Sequence, residues 1–175
     1  MSQIVTLERR GDIDVITIDN PPVNAFSHAV RAALMDAIVE ADTSDSRVIV
    51  LRCAGRTYVA GADITEFGKP PKDPWLPELL NRIENCSKPV VAALHGTALG
   101  GGLESAIASH YRVAEPDTRL GFPEVLLGLQ PGAGGTQRAP RLMGVEAALD
   151  FIVAGKPIGA ELALTSGASR VIRRD

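Results

Sequence analysis

Hydrophobic and polar positions follow one another along the chain in a pattern that predicts short strands separated by helices. Residues 4–8 and 13–18 are short runs rich in β-branched residues, joined by Arg10-Gly11-Asp12, which is a hairpin signal. Residues 48–51 and 90–94 are apolar on both faces, as buried strands are. After Ser27, a residue type that caps helix starts, apolar residues recur at helical spacing.

The same alternation continues through the second half of the chain. Further helices are predicted over residues 77–86, 102–109, 136–143, 145–153 and 161–165, and further extended segments over residues 111–114 and 119–122. Strands that alternate with helices favour the α/β class with parallel strands. Residues 68–77 are rich in Pro, Gly, Lys and Asp, which predicts a mobile surface loop. We expect residues 1–175 to form a single domain, because this length suits one hydrophobic core.

Composition and charge exclude several classes of function. The chain is 45% hydrophobic and 22% charged, which is ordinary for a globular protein. A net charge of -3 and an aromatic content of 4% argue against a nucleic-acid surface. Apolar runs fall short of the ~20 residues that span a bilayer, and residues 1–10 lack a secretory signal. Cys53 and Cys86 are expected to be reduced thiols, so a cytoplasmic location is predicted.

The clearest chemical signal is the stretch from residue 98 to residue 104, Ala-Leu-Gly-Gly-Gly-Leu-Glu. Three successive glycines leave the backbone bare, so that a substrate can approach its N–H groups closely. The apolar run that follows predicts a buried helix, and the first N–H groups of a helix form anion or oxyanion sites. Glu104 lies in this helix and Glu124 follows twenty residues later, so both carboxylates are candidates for proton transfer. The combination indicates chemistry on a carbonyl compound.

Each of these features also has a purely structural interpretation. Asp63, in the small-residue segment 58–64, suits the cap of a helix that follows a strand. Glu104 would complement the dipole at the start of its helix. Glu124 would be a surface carboxylate after a proline turn, with Thr136 capping the next helix. Taken one at a time, the motifs leave these interpretations open.

Other catalytic arrangements are excluded by the motifs that the sequence lacks. The glycine-rich residues 131–136 are followed by Gln137 where a dinucleotide-binding fingerprint would have its third glycine. The sequence contains neither a GxxxxGK[ST] phosphate loop nor a GxSxG nucleophile elbow. His28, His95 and His110 lack the spacing of metal ligands and are expected to be structural, so no metal site is predicted.

Taken together and in order, five motifs resemble the enoyl-CoA hydratase/isomerase superfamily, which has the crotonase fold. The resemblance covers residues 4–171 and rests on Asn20-Pro21-Pro22-Val23-Asn24-Ala25, Ala60-Gly61-Ala62-Asp63-Ile64, Lys88-Pro89-Val90-Val91-Ala92-Ala93, Gly100-Gly101-Gly102-Leu103-Glu104, and Pro123-Glu124 through Pro131-Gly132-Ala133-Gly134-Gly135-Thr136-Gln137-Arg138. The amino-acid sequence of these segments is most similar to the hydratase part of bifunctional enoyl-CoA hydratase/3-hydroxyacyl-CoA dehydrogenases. The resemblance implies a spiral core of ββα turns, truncated before the C-terminal helical segment of longer members.

The resemblance also implies a site that binds a CoA thioester and stabilises its enolate. The N–H groups of Ala62 and Gly101 would form the oxyanion hole, and Glu104 and Glu124 match the two acids of the hydratases. In the usual assignment Glu124 delivers the proton at C2, while Glu104 orients and activates water. The CoA moiety would lie along Val23, Ala25, Ala60, Asp63 and Ile64. No cofactor is expected, because the CoA thioester is itself the substrate.

The presence of both glutamates favours one reaction within the family, the hydration of trans-2-enoyl-CoA to 3-hydroxyacyl-CoA in fatty-acid β-oxidation. Two alternatives stay open: Δ3-Δ2 enoyl isomerisation or another acyl-CoA reaction on the same scaffold, and a poorly active truncated module that binds CoA or a partner chain. The expected partners are an acyl-CoA and further copies of the chain in a homo-oligomer, which would be trimer-based if assembly does not require the C-terminal helical segment, with no nucleic acid and no membrane.

Overall fold

The computed structural model describes residues 3–70, 72–168 and 170–171. Within these ranges the strands are β1 (Val5–Arg10), β2 (Ile13–Ile18), β3 (Val48–Cys53), β4 (Val90–Leu94), β5 (Thr97–Leu99), β6 (Tyr111–Ala114), β7 (Arg119–Gly121), β8 (Ile158–Gly159) and β9 (Arg170–Val171). They form two sheets, in the orders β1-β2-β3-β4-β6-β9 and β5-β7-β8. The hairpin β1–β2 is antiparallel, and so is the pair β7–β8; the remaining pairs are parallel. The expected α/β class with parallel strands is confirmed.

The helices lie where the apolar periodicity predicts them, within one or two residues. In the described ranges the α-helices are α1 (His28–Thr43), α2 (Leu76–Glu84), α3 (Gly101–Ala108), α4 (Gly135–Met143), α5 (Val145–Ala154) and α6 (Ala160–Thr165). Ser27 caps α1 as expected, since its side chain accepts a hydrogen bond from the N–H of Val30. None of the helices in these ranges combines the length and the apolar character that crossing a membrane requires.

The core lies between the larger sheet and the first helices. Alternate residues of β2, β3 and β4 point toward α1 and α2 and are excluded from solvent; they include Ile16, Ile18, Ile49, Leu51, Val90 and Ala92. The opposing helical residues, also excluded, are Val30, Leu34, Ile38, Leu79, Leu80 and Ile83. Cys53 and Cys86 are buried free thiols, as expected. Burying side chains of this size stabilises the fold by roughly 1.5–3 kcal/mol each, before the cost of chain ordering.

Short elements that have no hydrophobic periodicity were not predicted from the sequence. They are the strands β5, β8 and β9 and the 3-10 helix Pro123–Leu127; the other 3-10 helix, Ile64–Glu66, follows the cap at Asp63 that the sequence offered. The strands have two or three residues, which are too few to show a period of two, so only their pairing with distant strands reveals them. The predicted surface loop 68–77 ends two residues early, at residue 75, because α2 begins at Leu76; Pro71 within it lies outside the described residues. The mobility of this loop stays a prediction.

The smaller sheet brings the two glutamate motifs together. β5 and β7 are parallel neighbours, and Leu99 at the end of β5 pairs with Gly121 at the end of β7. The chain therefore leaves both strands at the same edge, β5 into α3 and β7 into the second 3-10 helix. Gly100 bridges the two exits, because its N–H donates to the carbonyl of Gly121 at 2.9 Å. Its φ of +50° is in the left-handed region that favours glycine.

Candidate active site

Ala62 and Gly101, whose backbone N–H groups are predicted to act together, lie close to one another. A Cβ placed on Gly101 would lie 3.8 Å from the amide nitrogen of Ala62. Gly101 is the first residue of α3, where N–H groups have no intrahelical acceptor. Within the described parts of the chain no acceptor receives the N–H of Ala62. Two N–H groups from separate segments therefore lie near one another, which is compatible with the predicted oxyanion hole.

Pairing with another segment fixes the orientation of the Ala62 peptide. Ala62 forms a parallel bridge with Phe26, the fully buried residue just before α1. The N–H of Phe26 donates to the carbonyl of Gly61 at 2.9 Å, and the N–H of Asp63 donates to the carbonyl of Phe26 at 3.3 Å. Hydrogen bonds thus fix the backbone on both sides of Ala62, close to Gly101.

Glu104 is held inside the protein by a loop that lies thirty residues further along the chain. The residue is 2% exposed, and its Oε1 accepts from the N–H groups of Ala133 at 2.7 Å and Gly135 at 2.8 Å. Burial raises the pKa of this carboxyl, and these two N–H donors together with Arg138 act in the opposite direction. Burial has the larger effect, so the pKa of Glu104 is raised overall, and the two donors on one oxygen limit that rise.

Glu124 lies in a different environment on the other side of Gly100. Its Oε1 is 2.9 Å from the position that a Cβ on Gly100 would occupy. Its Oε2 is buried, and no group among the described residues donates to it. Burial raises the pKa of Glu124; its own backbone N–H lowers this pKa, and the charge of Glu104 raises it further. The pKa of both carboxyls is raised, but their hydrogen bonding differs: Oε1 of Glu104 has two N–H donors, and Oε2 of Glu124 has none among the described residues.

The segment that carries Glu124 is anchored by an aromatic pair. Phe122 is 1% exposed and packs against Phe151 of α5, with ring centroids 5.4 Å apart. Pro123 then starts the second 3-10 helix, which turns the Glu124 side chain back toward Gly100. The alternative interpretation of Glu124 as a surface carboxylate is therefore wrong. The alternative that Thr136 caps the next helix is also wrong, because α4 begins at Gly135 with Gly134 as its N-cap.

The residues predicted to line the CoA moiety lie on two adjacent segments. The N–H of Ala60 donates to the carbonyl of Val23 at 3.1 Å, which places Val23 and Ala25 alongside residues 60–64. Asp63 also has the structural role considered above, since its side chain caps the first 3-10 helix by accepting from the N–H of Thr65 at 2.9 Å. Ile64 is 72% exposed and accessible to a ligand. The contact with CoA itself stays a prediction.

The histidines occupy structural positions. Nε2 of His28 lies 2.7 Å from the carbonyl oxygen of Asp73, and Nε2 of His95 lies 3.1 Å from that of Gly55. Nδ1 of His110 accepts from the N–H of Val90 at 3.0 Å. In the ranges that the structure describes, no three His, Cys, Asp or Glu side chains cluster as a metal site would require.

Three groups at the site could not be assigned from the sequence. In the sequence Ala133 and Gly135 are only members of a glycine-rich motif, yet their N–H groups donate to Oε1 of Glu104. Gly135 also leaves no space for a side chain, since a Cβ there would lie 3.0 Å from Oε1 of Glu104. Leu76, at the start of α2, lies over Gly101, its Cδ2 2.7 Å from where a Cβ would be. For Ala133 and Gly135 the sequence offered the glycine-rich motif as a signal, but the motif does not show which N–H group donates to which glutamate.

Comparison with known proteins assigns this arrangement to a family. A model of the enoyl-CoA hydratase/isomerase family matches residues 8–172. The chain belongs to the enoyl-CoA hydratase/isomerase family. It is 49% identical over 157 residues to the peroxisomal bifunctional enzyme of Danio rerio, covering 89% of this chain and 22% of that protein. It is 43% identical over 171 residues to a probable enoyl-CoA hydratase of Bacillus subtilis strain 168, covering 93% of this chain and 66% of that protein.

Solved structures confirm the crotonase fold. The enoyl-CoA hydratase from Thermoplasma volcanium GSS1 superposes with a TM-score of 0.90 at 35% identity, covering 99% of this chain and 73% of that one. Pseudomonas aeruginosa DspI superposes with a TM-score of 0.91 at 31% identity, covering 98% of this chain and 69% of that one. The chain thus spans about a fifth of the length of the bifunctional relative and about two thirds of the Bacillus hydratase.

Proposed function

We propose that this member of the family is an enoyl-CoA hydratase, which adds water to a trans-2-enoyl-CoA and forms a 3-hydroxyacyl-CoA, a reaction of fatty-acid β-oxidation. The observation that carries the proposal is the difference in hydrogen bonding between buried Glu104 and half-buried Glu124. Oε1 of Glu104 accepts two N–H groups, whereas Oε2 of Glu124 accepts none among the described residues. Hydration needs one ionised and one protonated acid at the same moment.

The thioester oxygen would bind between the N–H groups of Ala62 and Gly101. Attack of water at C3 moves negative charge onto this oxygen, so donors that are already in place stabilise the transition state more than the substrate. Losing one donor of this kind typically costs about 3–4 kcal/mol. Because both donors are backbone groups, a side-chain substitution does not remove them; it only obstructs them.

The proton transfers follow from the two carboxyl environments. Glu104, as the ionised base, takes a proton from water while the water oxygen bonds to C3. Glu124, as the neutral acid, gives its proton to C2, and the enolate electrons return to the C2 carbon. The product has gained one water, and Glu104 is left protonated with Glu124 ionised. The two carboxyls interact, so the proton passes back within the pair before the next turnover.

The remaining predicted contacts complete the substrate site. We propose that Val23, Ala25, Ala60, Asp63 and Ile64 line the CoA moiety, with the adenine near residues 62–64. The adjacency of the two segments and the exposure of Ile64 support this placement. The reaction as proposed uses no metal and no cofactor, since acid, base and oxyanion donors all come from the chain.

Hydration of crotonyl-CoA by the purified chain tests the proposal. Glu104→Gln and Glu124→Gln keep the shape of each side chain and remove its proton chemistry. We expect each to lower kcat by about 10²–10⁴-fold, the usual contribution of a general acid or base. Glu146→Gln, at an exposed position in the first turn of α5, is the matched control and should keep full activity. Undiminished turnover in both site variants would exclude the proposal.

A second candidate, Δ3-Δ2 enoyl-CoA isomerisation, is favoured by the unpartnered Oε2 of Glu124. Isomerisation of a 3-enoyl-CoA moves one proton from C2 to C4, so it needs a single carboxyl that takes the proton from C2 and returns it at C4. The two reactions separate in Glu104→Gln. If isomerisation of a 3-enoyl-CoA persists in this variant while hydration is lost, the site supports both. If isomerisation exceeds hydration in the unaltered chain, the isomerase is the main activity.

A further inference from the structure

Arg138, on α4, is buried beneath the loop that holds Glu104. The residue is 8% exposed, and its guanidinium joins two separate parts of the chain. Nη1 donates to the carbonyl of Ala133 at 2.9 Å. Nη2 donates to Oδ1 of Asn81 at 2.9 Å and to Oε2 of Glu84 at 2.7 Å, both on α2. One side chain thus connects α2 to the glycine-rich loop.

The loop residue that Arg138 binds is also one that binds Glu104. Ala133 donates its N–H to Oε1 of Glu104 and gives its carbonyl oxygen to Nη1 of Arg138, so both sides of the residue are fixed. Gly134 lies directly on the guanidinium, because a Cβ there would overlap Nη1. Gly135, which supplies the second donor to Glu104, follows at once. The position of both N–H donors therefore depends on what Arg138 contacts.

We propose that Arg138 is a positioning residue for Glu104: by bridging Asn81 and Glu84 to the carbonyl of Ala133, it fixes the two N–H groups that aim the Glu104 carboxylate. This inference rests on the proposed function, because aiming matters only if Glu104 activates water. Arg138 does not touch the reacting atoms and acts through the loop.

The bridge needs the shape of arginine as well as its charge. A guanidinium presents its donors in a rigid planar fork, whereas an ammonium is a compact point charge. Lysine at position 138 would keep the cation, but it could not contact Ala133 and α2 at once with the same geometry. Arg138→Lys therefore separates the bridge from the charge.

Few charged groups among the described residues surround Glu104, so a change in its pKa reports on the loop that holds it. α4 presents Arg138, the second 3-10 helix presents Glu124, and α2 presents Glu84, which is paired with Arg138 at 2.7 Å. Arg138 and the two loop N–H groups all favour the charged carboxylate. Loosening the loop should raise the pKa of Glu104 and move the acid limb of the activity profile to higher pH.

Steady-state hydration of crotonyl-CoA tests the proposal. We expect Arg138→Lys to lower kcat by about 10- to 100-fold, the effect of misplacing a catalytic group by about 1 Å, with KM within about threefold of the parent. The matched control is Arg141→Gln, which removes a charge one turn later on α4 from an exposed side chain that donates to the carbonyl of Gln137. A folded Arg138→Lys protein with parental kcat and pH profile would overturn the proposal, and so would an equal loss in Arg141→Gln.

Two further measurements keep the test decisive. If Arg138→Lys does not fold, Glu84→Gln removes the half-exposed anchor and leaves the arginine in place; we expect a smaller loss of kcat in the same direction, and no loss overturns the proposal. Carbon-13 NMR of labelled glutamate, with Glu104 assigned from Glu104→Gln, follows its titration without turnover. A higher pKa of Glu104 in Arg138→Lys than in the parent supports the positioning role, and an unchanged pKa contradicts it.

The titration also separates this proposal from the proposed function. If the unaltered chain hydrates no enoyl-CoA, the proposed function fails, while the titration still tests the link between Arg138 and Glu104.

Discussion

The amide nitrogen of Ala62 lies 3.8 Å from the point where a Cβ of residue 101 would be, although 39 positions separate Ala62 and Gly101 in the sequence. The space between them is where a thioester oxygen would accept both N–H groups. Any side chain at position 101 would project into this space and against Leu76, whose Cδ2 is 2.7 Å from the same point.

Gly101→Ala should therefore obstruct the oxyanion hole while leaving both donors in the chain. We expect kcat/KM for crotonyl-CoA hydration to fall by about 10²–10³-fold, comparable to losing one oxyanion donor. Gly159→Ala is the control, because nothing lies within 4 Å of a Cβ there. Circular dichroism checks that both variants fold, and a folded Gly101→Ala enzyme with parental kcat/KM would contradict the oxyanion assignment.

Gly135→Ala should displace the carboxylate of Glu104, the proposed base, without changing its chemistry. The new methyl would meet Oε1 of Glu104 at 3.0 Å, Cβ of Pro131 at 2.8 Å and Cε1 of Phe122 at 2.9 Å. Overpacking of this kind costs roughly 1–3 kcal/mol of stability. We expect kcat to fall more than KM rises, measured beside a urea titration that reports the free energy of unfolding. A destabilised protein that retains its kcat would show that the position of Glu104 tolerates the shift.

The pH dependence of kcat/KM should be bell-shaped. Activity rises with pH as Glu104 loses its proton and falls again as Glu124 loses its own, because the reaction needs the first ionised and the second neutral. Burial raises the pKa of both carboxyls, so the acid limb should lie above the ordinary glutamate value of 4.5. The two limbs report the pair as a whole, since the groups interact. A profile that stays flat from about pH 4 to 9 would exclude this pair as the acid and base.

Acid should weaken the fold through Asp42, at a place remote from the site. Its carboxylate accepts from Nη2 of Arg82 at 2.7 Å and from the N–H of Ser87 at 2.8 Å. Burial raises the pKa of Asp42, but these donors outweigh it and the pKa is lowered from 3.8. A lowered folded pKa contributes stability that is complete above the unfolded value of 3.8 and is lost as pH falls through the folded one.

The variant Asp42→Asn should therefore be less stable than the parent at pH 7, by about 1–3 kcal/mol. The difference should shrink as pH falls below 3.8 and through the lowered folded pKa of Asp42, where the parent carboxylate becomes protonated. Urea unfolding at pH 7 and at a series of pH values below 3.8 measures this. The exposed Asp45→Asn is the control, and a difference that does not change with pH would contradict the linkage.

The homo-oligomer expected from the sequence stays a prediction, and α5 is the place to test it. Val145, Leu149 and Val153 lie along one side of this helix and are 74%, 60% and 63% exposed. Contiguous exposed apolar residues commonly mark association surfaces. We expect light scattering to give a mass above 18.5 kDa, and Leu149→Lys to lower that mass. A monodisperse monomer in the unaltered chain would refute the predicted assembly.

The sequence by itself determined the class of fold and the main helices, and it named four candidate site residues whose roles stay a prediction. Ser27 capped α1 because a side-chain oxygen suits that position, and the glycines before Glu104 marked a bare helix start because no other residue leaves the backbone so accessible. These are local properties, decided within a few residues of chain.

Only the tertiary structure decided which glutamate is held and which is not. Glu104 receives its donors from residues 29 and 31 positions away, and Arg138 reaches partners 57 and 54 positions away. β5 and β7 must first pair in parallel before Gly100 and Glu124 can meet. Burial and hydrogen bonding of a carboxyl depend on what packs around it, so two glutamates that are chemically identical in the sequence become different acids in the fold.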